Sequence, residues 1–348
     1  MDVLAELLDG TRARGGLFHQ TVVSAPWSLR VQDRAPLALY TLLRGTAWLA
    51  PAGGAEPVRL APGDIAVVRG PAPYVLADAP DRPPTLFIQP DDTCTTADGV
   101  PVCDALALGV RTWGRDPAGE TLVAGGTYQL GGEVSGRLLA ALPPVLVLRG
   151  GERGQRRPGA LLPLLAEEIV RDAPGQQAVL DRLLDLLLIS TLRAWFDRPD
   201  AAPPAWYRAQ ADPVVGPALR LLHADPARPW TVGALAAAVG VSRAALARRF
   251  GRLVGEPPMT YLTGWRIDLA ADLLREPGTT VAAVARRVGY ANAFALSAAF
   301  KRVRGVSPSA HRAAARAPHP AARPPHPAAR PPGLGPAAAP APAPAAAR

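Results

Sequence analysis

The sequence predicts a multidomain α+β protein in which a β-barrel or sandwich with attached helices precedes an all-helical domain. From Phe18 to about Gln129, short apolar runs rich in β-branched and aromatic residues are separated by Gly and Pro, which is typical of barrels and sandwiches. From Val214 to Arg312 the apolar residues recur at helical spacing. Within this helical part, one sequence pattern occurs twice.

Length and charge restrict the class of protein. The 348 residues suffice for two ordinary domains with separate cores. The start lacks the basic head and apolar run of a secretory signal, and the most apolar run, Leu183 to Ile189, is too short to span a bilayer. We therefore expect a cytoplasmic protein with no membrane partner. Residues 212–312 carry 14 Lys and Arg against 6 Asp and Glu, which indicates a nucleic-acid surface.

The individual elements follow from local patterns. Residues 2–8 have the apolar spacing of a short helix. Helices are also predicted over 160–171 and 177–196, whereas residues 197–204 interrupt the pattern and predict a linker. Beyond Arg312 there are 11 prolines, so residues 313–348 are predicted to be a disordered tail. Seven strands are predicted, over residues 37–43, 46–50, 58–60, 65–68, 74–76, 86–88 and 122–128.

The helix over residues 177–196 is apolar around more than half of its circumference. Such a helix needs two surfaces against which to bury itself. One surface is its own domain, and the other is expected to be a second copy of the chain, which predicts a homodimer. Complete burial of the helix within one monomer is the alternative.

The repeated pattern has the features of a helix, a tight turn and a second helix. In each copy a polar residue caps each helix, a glycine ends the first helix with a left-handed backbone, and two apolar residues anchor the second helix. The equivalent pairs are Thr231 and Thr280, Gly240 and Gly289, Ser242 and Asn292, Leu246 and Leu296, and Phe250 and Phe300. A helix-turn-helix places its second helix in the DNA major groove, and two of them joined by a helix over residues 259–274 would enter successive grooves about 34 Å apart.

Residues 212–312 resemble the DNA-binding domain of the AraC/XylS family of bacterial transcription regulators. The first half of the resemblance is carried by Leu235-Ala236, Gly240-Val241-Ser242, Leu246 to Phe250 and Pro258 to Leu262, and the second half by Val288-Gly289-Tyr290, Phe300-Lys301-Arg302, Gly305, Ser307-Pro308 and Arg312. The resemblance implies that double-stranded DNA is the partner.

The resemblance also implies roles for individual residues. In the first recognition helix, Ala244, Ala247 and Arg248 are expected to face bases, with Arg248 on a guanine, and Arg243 and Arg249 to lie near phosphates. In the second recognition helix the outward residues are expected to be Ala293, Phe294, Ala295, Ser297 and Ala298, followed by Lys301 and Arg302. This helix would read DNA through Ser297 and apolar contact with thymine methyl groups. Two alternatives stay open: Phe294 is a core residue, or the arginines and Lys301 only solvate the surface of their helices.

Residues 3–130 resemble the cupin barrel that precedes the DNA-binding domain in many AraC-type regulators. The resemblance is carried by Leu43 to Leu49 and by the strand, Pro-Gly-Asp turn and strand over Val58 to Val68. Cupin enzymes hold a metal with histidines, but only His19 lies in this barrel, and one imidazole cannot make a site of three or four ligands. We therefore expect no metal, no cofactor and no catalysis. Tyr40, Trp48 and Tyr74 are candidates to line an effector pocket, and simple core positions are equally compatible.

The two cysteines flank an Asp-Gly dipeptide, which favours a two-residue hairpin turn. A turn at Asp98-Gly99 would place Cys94 opposite Cys103, within disulfide range. Because cytosolic thiols are reduced by default, a bond there would act as a redox switch. Two inert thiols, or an irregular loop, are the alternative.

Together, these observations predict a transcription regulator, as activator or repressor, with five segments. They are a cupin-like effector or sensor domain (1–135), a helical dimerisation segment (136–197), a linker (198–211), a double helix-turn-helix domain (212–312) and the tail. The expected partners are DNA, a second copy, a small-molecule effector or oxidant, and RNA polymerase if the protein is an activator. A cupin-type metalloenzyme tethered to a DNA-binding domain is one alternative, which metal analysis would test. A constitutive architectural binder is another, which thermal shift against metabolites and oxidants would test.

Overall fold

The computed structural model describes residues 19–90, 93–109, 111–128, 132–151, 156–201 and 203–316. The helix predicted over residues 2–8 and the tail beyond residue 316 lie outside the described residues. The strands are β1 (His19–Val23), β2 (Ser28–Val31), β3 (Leu37–Arg44), β4 (Ala47–Pro51), β5 (Val58–Leu60), β6 (Ile65–Arg69), β7 (Tyr74–Ala77), β8 (Leu86–Ile88), β9 (Cys94–Thr96), β10 (Ala107–Gly109), β11 (Thr112–Gly114), β12 (Thr121–Tyr128) and β13 (Val145–Leu148).

The strands form two sheets. The larger sheet has the order β10-β11-β1-β12-β3-β6-β13, and the smaller has the order β5-β4-β7-β2-β8-β9. All seven predicted strands are present, as β3 to β8 and β12. The fold class predicted for this part of the chain is confirmed.

Strand β3 shows why the predicted strands are continuous apolar runs and do not alternate between apolar and polar residues. Its Ala38 and Tyr40 belong to a core shared with β2, β4 and β7 of the smaller sheet. Its Leu37 and Leu39 belong to a different core, shared with the helices. Because successive side chains of a strand point to opposite faces, a strand buried on both faces is apolar throughout.

The helices are α1 (Glu133–Ala140), α2 (Arg156–Gly159), α3 (Leu162–Ile169), α4 (Gln176–Phe196), α5 (Ala205–Ala209), α6 (Val215–Ala224), α7 (Val232–Ala238), α8 (Arg243–Val254), α9 (Pro258–Arg275), α10 (Val281–Arg287), α11 (Ala293–Arg304) and α12 (Pro308–Arg316). The predicted helices over 160–171, 177–196 and 259–274 correspond to α3, α4 and α9. None of these helices has the length and apolarity needed to cross a membrane, within the residues described.

Two segments differ from the expectation. Strand β13 lies inside the segment predicted to be helical and pairs antiparallel with β6, so it belongs to the barrel. The predicted linker contains α5, because Trp206 and Tyr207 pack their rings on Phe196 and Ala209 is fully buried. Helix α5 contacts the first recognition helix, α8.

One apolar core continues from the barrel into the first helix-turn-helix. It includes Leu39 of β3, Leu184 of α4, Ala209 of α5 and Leu246 of α8. The second helix-turn-helix has a separate core around Leu296 and its neighbours on α9, α10 and α11. The first DNA-binding unit is therefore packed onto the front half of the chain, whereas the second has a core of its own.

Candidate nucleic-acid interface and sensor sites

Each helix-turn-helix unit has the caps that the sequence predicts. A side-chain oxygen accepts a hydrogen bond from the backbone N–H three residues later, which satisfies a donor at the helix start. The four bonds are Ala234 N to Thr231 Oγ1 (3.0 Å), Ala245 N to Ser242 Oγ (3.2 Å), Ala283 N to Thr280 Oγ1 (3.1 Å) and Ala295 N to Asn292 Oδ1 (2.9 Å). All four predicted caps are confirmed.

The turns also match in the two units. Gly240 and Gly289 have φ values of +72° and +81°, the left-handed region that favours glycine. A Cβ atom on Gly289 would lie 2.5 Å from the carbonyl oxygen of Ala227, whereas one on Gly240 would meet no described atom within 4 Å. The second unit therefore requires glycine for space as well as for backbone conformation.

The first recognition helix, α8, buries Leu246 and Phe250 completely. Its opposite side exposes the residues that were predicted to face DNA, namely Arg243, Ala244, Ala247 and Arg248. Among the described residues, no carboxylate lies within salt-bridge distance of Arg243 or Arg248. Both guanidinium groups are thus available to an anionic partner.

Arg249 has a different environment from the other two arginines. Its Nε donates to Asp212 Oδ2 at 2.8 Å, and Asp212 also accepts the backbone N–H groups of Val214 and Val215 at 2.9 Å each. Burial acts to raise the pKa of Asp212, but these three donors hold that pKa below its usual value. Arg249 therefore ties α8 to the start of α6, and a phosphate contact from it would have to compete with this ion pair.

The second recognition helix, α11, buries Leu296 and Phe300 completely. Phe294 is 87% exposed, so its alternative placement in the core is wrong. Lys301 and Arg302 are also exposed, as expected, whereas Ala293 and Ser297 are half-buried. The outward surface of α11 is thus an aromatic ring at the start of the helix and two cations near its end.

One basic residue was missed by the sequence reasoning. Arg252 lies in the last turn of α8 and is exposed. Pairing Phe250 with Phe300 makes Arg252 the equivalent of Arg302, so the repeat itself contained the signal. Each recognition helix therefore presents an arginine two residues after its buried phenylalanine.

A second group of residues joins the barrel domain to the DNA-binding domain. We call it the docking cluster, and it consists of Glu133, Arg137, Asp268, Asp272 and Arg304. Asp272 on α9 accepts the backbone N–H groups of Glu133 and Val134 at 2.6 and 3.1 Å, so it caps the N-terminus of α1 from another domain. Burial raises the pKa of Asp272 despite these two hydrogen bonds.

Ion pairs and aromatic rings complete the docking cluster. Asp268 binds the guanidinium groups of Arg137 and Arg304, and Arg304 also contacts Glu133 Oε2 at 2.7 Å. The Arg137 guanidinium lies 5.7 Å from the ring centre of Tyr261 and 5.8 Å from that of Trp265, within cation–π range. Because Arg304 ends the second recognition helix, the cluster connects α1 to both α9 and α11.

The barrel contains a small cavity. Its volume is about 10 Å³, which is enough for about one water molecule. Tyr40 lines it, and the Tyr40 hydroxyl lies 2.7 Å from that of Tyr74. Burial raises the pKa of both phenols, so both stay protonated at neutral pH. The lining also includes His19, Trp27 and Gly125.

Of the three predicted pocket residues, Tyr40 and Tyr74 contact each other through their hydroxyl groups, whereas Trp48 lies elsewhere. Trp48 is half-buried on β4, between the fully buried Ala47 and Leu49. Since neighbouring strand residues point to opposite faces, Trp48 lies on the outer side of its sheet, away from the cavity. Its apolar size suggested a pocket residue, but strand alternation determines its direction.

The cysteine hairpin has a register one residue away from the predicted one. Thr95 pairs with Pro101, and Val102 N donates to Cys94 O at 2.9 Å. The predicted pairing of Cys94 with Cys103 is wrong, because the turn contains three residues and ends with Gly99 at a φ of +83°. The Cys103 Sγ nevertheless lies 2.6 Å from the Cys94 backbone nitrogen, so the thiol of Cys103 reaches the Cys94 residue.

Within the described part of the chain, no three His, Cys, Asp or Glu side chains form a group that could hold a metal ion.

Comparisons with known proteins agree with this arrangement. A family model described as Cupin matches residues 2–197, and one described as Helix-turn-helix domain matches residues 235–314. AraC-like transcription regulators of Streptomyces lividans and Streptomyces antibioticus are 33% and 34% identical over 312 residues, which is 90% of this chain and 98% of each relative. The crystal structure of the DNA-binding domain of AdpA, in complex with a target DNA, is 34% identical and covers 31% of this chain and 96% of that one, with a TM-score of 0.29. The identity to the two Streptomyces relatives over 90% of the chain, together with the two family models, shows that the chain belongs to the AraC-like transcription regulators, with a cupin domain followed by a helix-turn-helix domain that binds DNA.

Proposed function

We propose that this regulator binds paired DNA half-sites as a homodimer in the cytoplasm, and that a signal sensed by its barrel changes this binding. It acts as a regulator rather than as a catalyst. The observation that carries the proposal is the outward surface of the two recognition helices, where Arg243 and Arg248 on α8 and Phe294, Lys301 and Arg302 on α11 are all exposed.

One arginine variant and one lysine variant distinguish base reading from phosphate binding. Arg248→Ala should cost about 1–3 kcal/mol at one base pair and relax the preference there, because a bidentate guanine contact is lost. Lys301→Ala should weaken all sequences alike and reduce the salt slope by about 1. Fluorescence anisotropy over a salt series, on a selected duplex and its single-base variants, measures both effects.

Arg171→Ala is the matched control, because it removes one exposed charge from the front half of the chain. Equal losses for Arg248→Ala on the selected duplex and on all of its variants would contradict a base-reading role.

Dimerisation is supported by the unburied face of α4. Val179 and Leu186 are 44% and 48% exposed, and they lie seven residues apart, on one face of the helix. Leu164 and Val170, in and after the adjacent helix α3, are exposed as well. An apolar surface of this kind marks an interaction site, and an identical face on a second copy supplies the missing half of the burial.

Light scattering after gel filtration tests the dimer. The wild-type chain should have the mass of a dimer, and the double variant Val179→Glu with Leu186→Glu should have the mass of a monomer. Val100→Glu is the control, because Val100 is equally exposed but lies in the cysteine hairpin. A monomeric wild type, with and without DNA, would contradict this part of the proposal.

Sensing has two candidate sites in the barrel domain. In the cavity, an effector larger than water would have to displace the Tyr40 ring, which packs so closely on Gly125 that a Cβ there would lie 2.5 Å from it. In the hairpin, oxidation would join Cys94 and Cys103. Thermal shift against metabolites tests the first site, and mass shifts on alkylation before and after a mild oxidant test the second. DNA binding that responds to the oxidant while both thiols stay alkylatable would contradict the thiol site.

The docking cluster gives the signal a route to DNA. Strand β12 lines the cavity at Val123 and Gly125 and ends at Tyr128, and α1 begins five residues later at Glu133. Since α1 is docked on α9 and on Arg304, a shift of β12 would change how the recognition helices are presented. Arg304→Ala should therefore make DNA affinity less responsive to the signal, whereas an unchanged response would contradict the route.

A further inference from the structure

We infer that the two recognition helices read different chemical groups of the operator: Arg248 reads a guanine, and Phe294 reads the C5-methyl group of a pyrimidine one helical turn away. The inference rests on the proposed sequence-specific binding and adds the class of base pair that the second helix selects.

The internal repeat places these two residues on equivalent surfaces. Pairing Leu246 with Leu296 makes Ala244 the equivalent of Phe294, and Arg248 the equivalent of Ala298. The two positions lie four residues apart, on one face of each helix. The first helix thus presents a small residue and then an arginine, whereas the second presents an aromatic residue and then a small one.

Phe294 presents its ring almost completely to solvent. At 87% it is the most exposed large apolar residue in the described part of the chain, and Ala295 and Ala298 beside it are exposed too. It is the second residue of α11, two positions after the Asn292 cap. In a helix-turn-helix, the N-terminal residues of the recognition helix are those that contact base edges.

The chemistry of the major groove identifies the group that this ring fits. A phenylalanine side chain cannot donate or accept a conventional hydrogen bond, so it cannot distinguish the polar edges of bases. The thymine C5-methyl is the apolar group that a base pair presents in the major groove, and Phe makes apolar contact with it. Cytosine lacks this methyl group, and 5-methylcytosine has it. Ala298, in the place of an arginine, leaves an uncharged surface next to the ring.

The test removes single methyl groups from the DNA. The full-length chain is first used to select its preferred duplex from a random pool, and each thymine of that duplex is then replaced by deoxyuridine. One position, about one turn from the guanine read by Arg248, should lose about fourfold in affinity, the worth of one buried methyl group. Cytosine at that position should bind weakly, and 5-methylcytosine should restore part of the loss.

Protein variants assign the effect to Phe294. In Phe294→Ala the deoxyuridine duplex should bind within about 1.5-fold of the thymine duplex, since the ring that packs on the methyl is gone. Val303→Ala is the control, because Val303 is exposed on the same helix but lies nine residues further on, half a circumference away. Val303→Ala and Arg248→Ala should both keep the deoxyuridine effect. Circular dichroism confirms that each variant is folded.

Three results would overturn the inference or its basis. If no thymine is sensitive to loss of its methyl group, Phe294 does not read one. If Phe294→Ala weakens the thymine and deoxyuridine duplexes equally, the ring contacts the DNA backbone or another protein instead. If selection yields no preferred sequence, the proposed sequence-specific function itself fails, and this outcome differs from the first two.

Discussion

The carboxylate of Asp268 holds together the contact between the barrel domain and the DNA-binding domain. Asp268 is 8% exposed, and the side chains of Arg137 and Arg304 that it binds are 29% and 21% exposed. Removing one member of a buried ion pair costs about 3–5 kcal/mol, because a charge is left without its partner. Arg137 keeps its aromatic neighbours and Arg304 keeps Glu133, so we expect Asp268→Asn to cost about 3 kcal/mol, the low end of that range.

Urea denaturation of the full chain, followed by tryptophan fluorescence, measures this cost. Trp265, one of seven tryptophans in the chain, lies beside the Arg137 guanidinium and contributes to the change in fluorescence on unfolding. A double-mutant cycle of Asp268→Asn with Arg304→Ala should give a coupling energy of about 0.5–3 kcal/mol, as residues in one ion-pair network do.

The matched control lies at the end of the same helix. Glu276 pairs with Arg287 at 3.4 Å, but both side chains are more than half exposed, and such surface pairs contribute about 0–1 kcal/mol. Glu276→Gln should therefore change stability little. If Asp268→Asn costs no more than Glu276→Gln, the docking cluster does not stabilise the protein and the reasoning is refuted.

Three further predictions concern the two domains separately. Gly289→Ala should lower thermal stability clearly more than Gly240→Ala, which costs about 1 kcal/mol for its backbone conformation alone, and equal losses would contradict the close approach to Ala227. Folding lowers the pKa of Asp212, so the charge of this residue stabilises the fold above its unfolded pKa of about 3.9. This stabilisation is lost as the pH falls through the lower folded pKa. Urea midpoints measured from pH 5 to acidic pH should therefore fall less in Asp212→Asn than in wild type. Tyr74→Phe leaves the buried Tyr40 hydroxyl without its bond to residue 74 and should cost about 1–3 kcal/mol in urea denaturation, a loss that Tyr40→Phe in the same chain should partly relieve.

The DNA-binding half could be predicted in detail because its signals are local. A capping oxygen and the backbone N–H that donates to it are three residues apart, and a left-handed glycine is fixed by the turn that contains it. Thr231, Gly240 and Ser242 therefore specify the first unit without reference to the rest of the chain. The equivalent residues of the repeat specify the second unit in the same way. Helix α9, which joins the units, was predicted to within one residue at each end.

The sequence predicts a barrel or sandwich, but it does not predict to which side each strand residue points. The Asp-Gly dipeptide indicated the hairpin correctly, but the turn has three residues instead of two, which moves the register by one and places Val102, not Cys103, opposite Cys94. A slip of one residue also exchanges the two faces of a strand. The sequence alone therefore does not specify the side to which Trp48 points, whereas the burial of Ala47 and Leu49 does.

The docking cluster could not have been predicted from local patterns. Arg137 and Asp268 are 131 residues apart in the chain, and an arginine and an aspartate on helix surfaces are ordinary when each is considered alone. The same holds for Asp272, since a helix cap is normally sought next to the helix and not in another domain. Contacts of this kind follow from tertiary packing, and only the folded chain shows them.

The unbroken apolar core limits how this regulator could be recombined. A splice anywhere between residues 198 and 211 would separate Val215 and Leu219, both fully buried, from the α4 leucines that share their core. Because the same core also includes Leu39 of the barrel, a working hybrid would have to keep the barrel, α4, α5 and the first DNA-binding unit together.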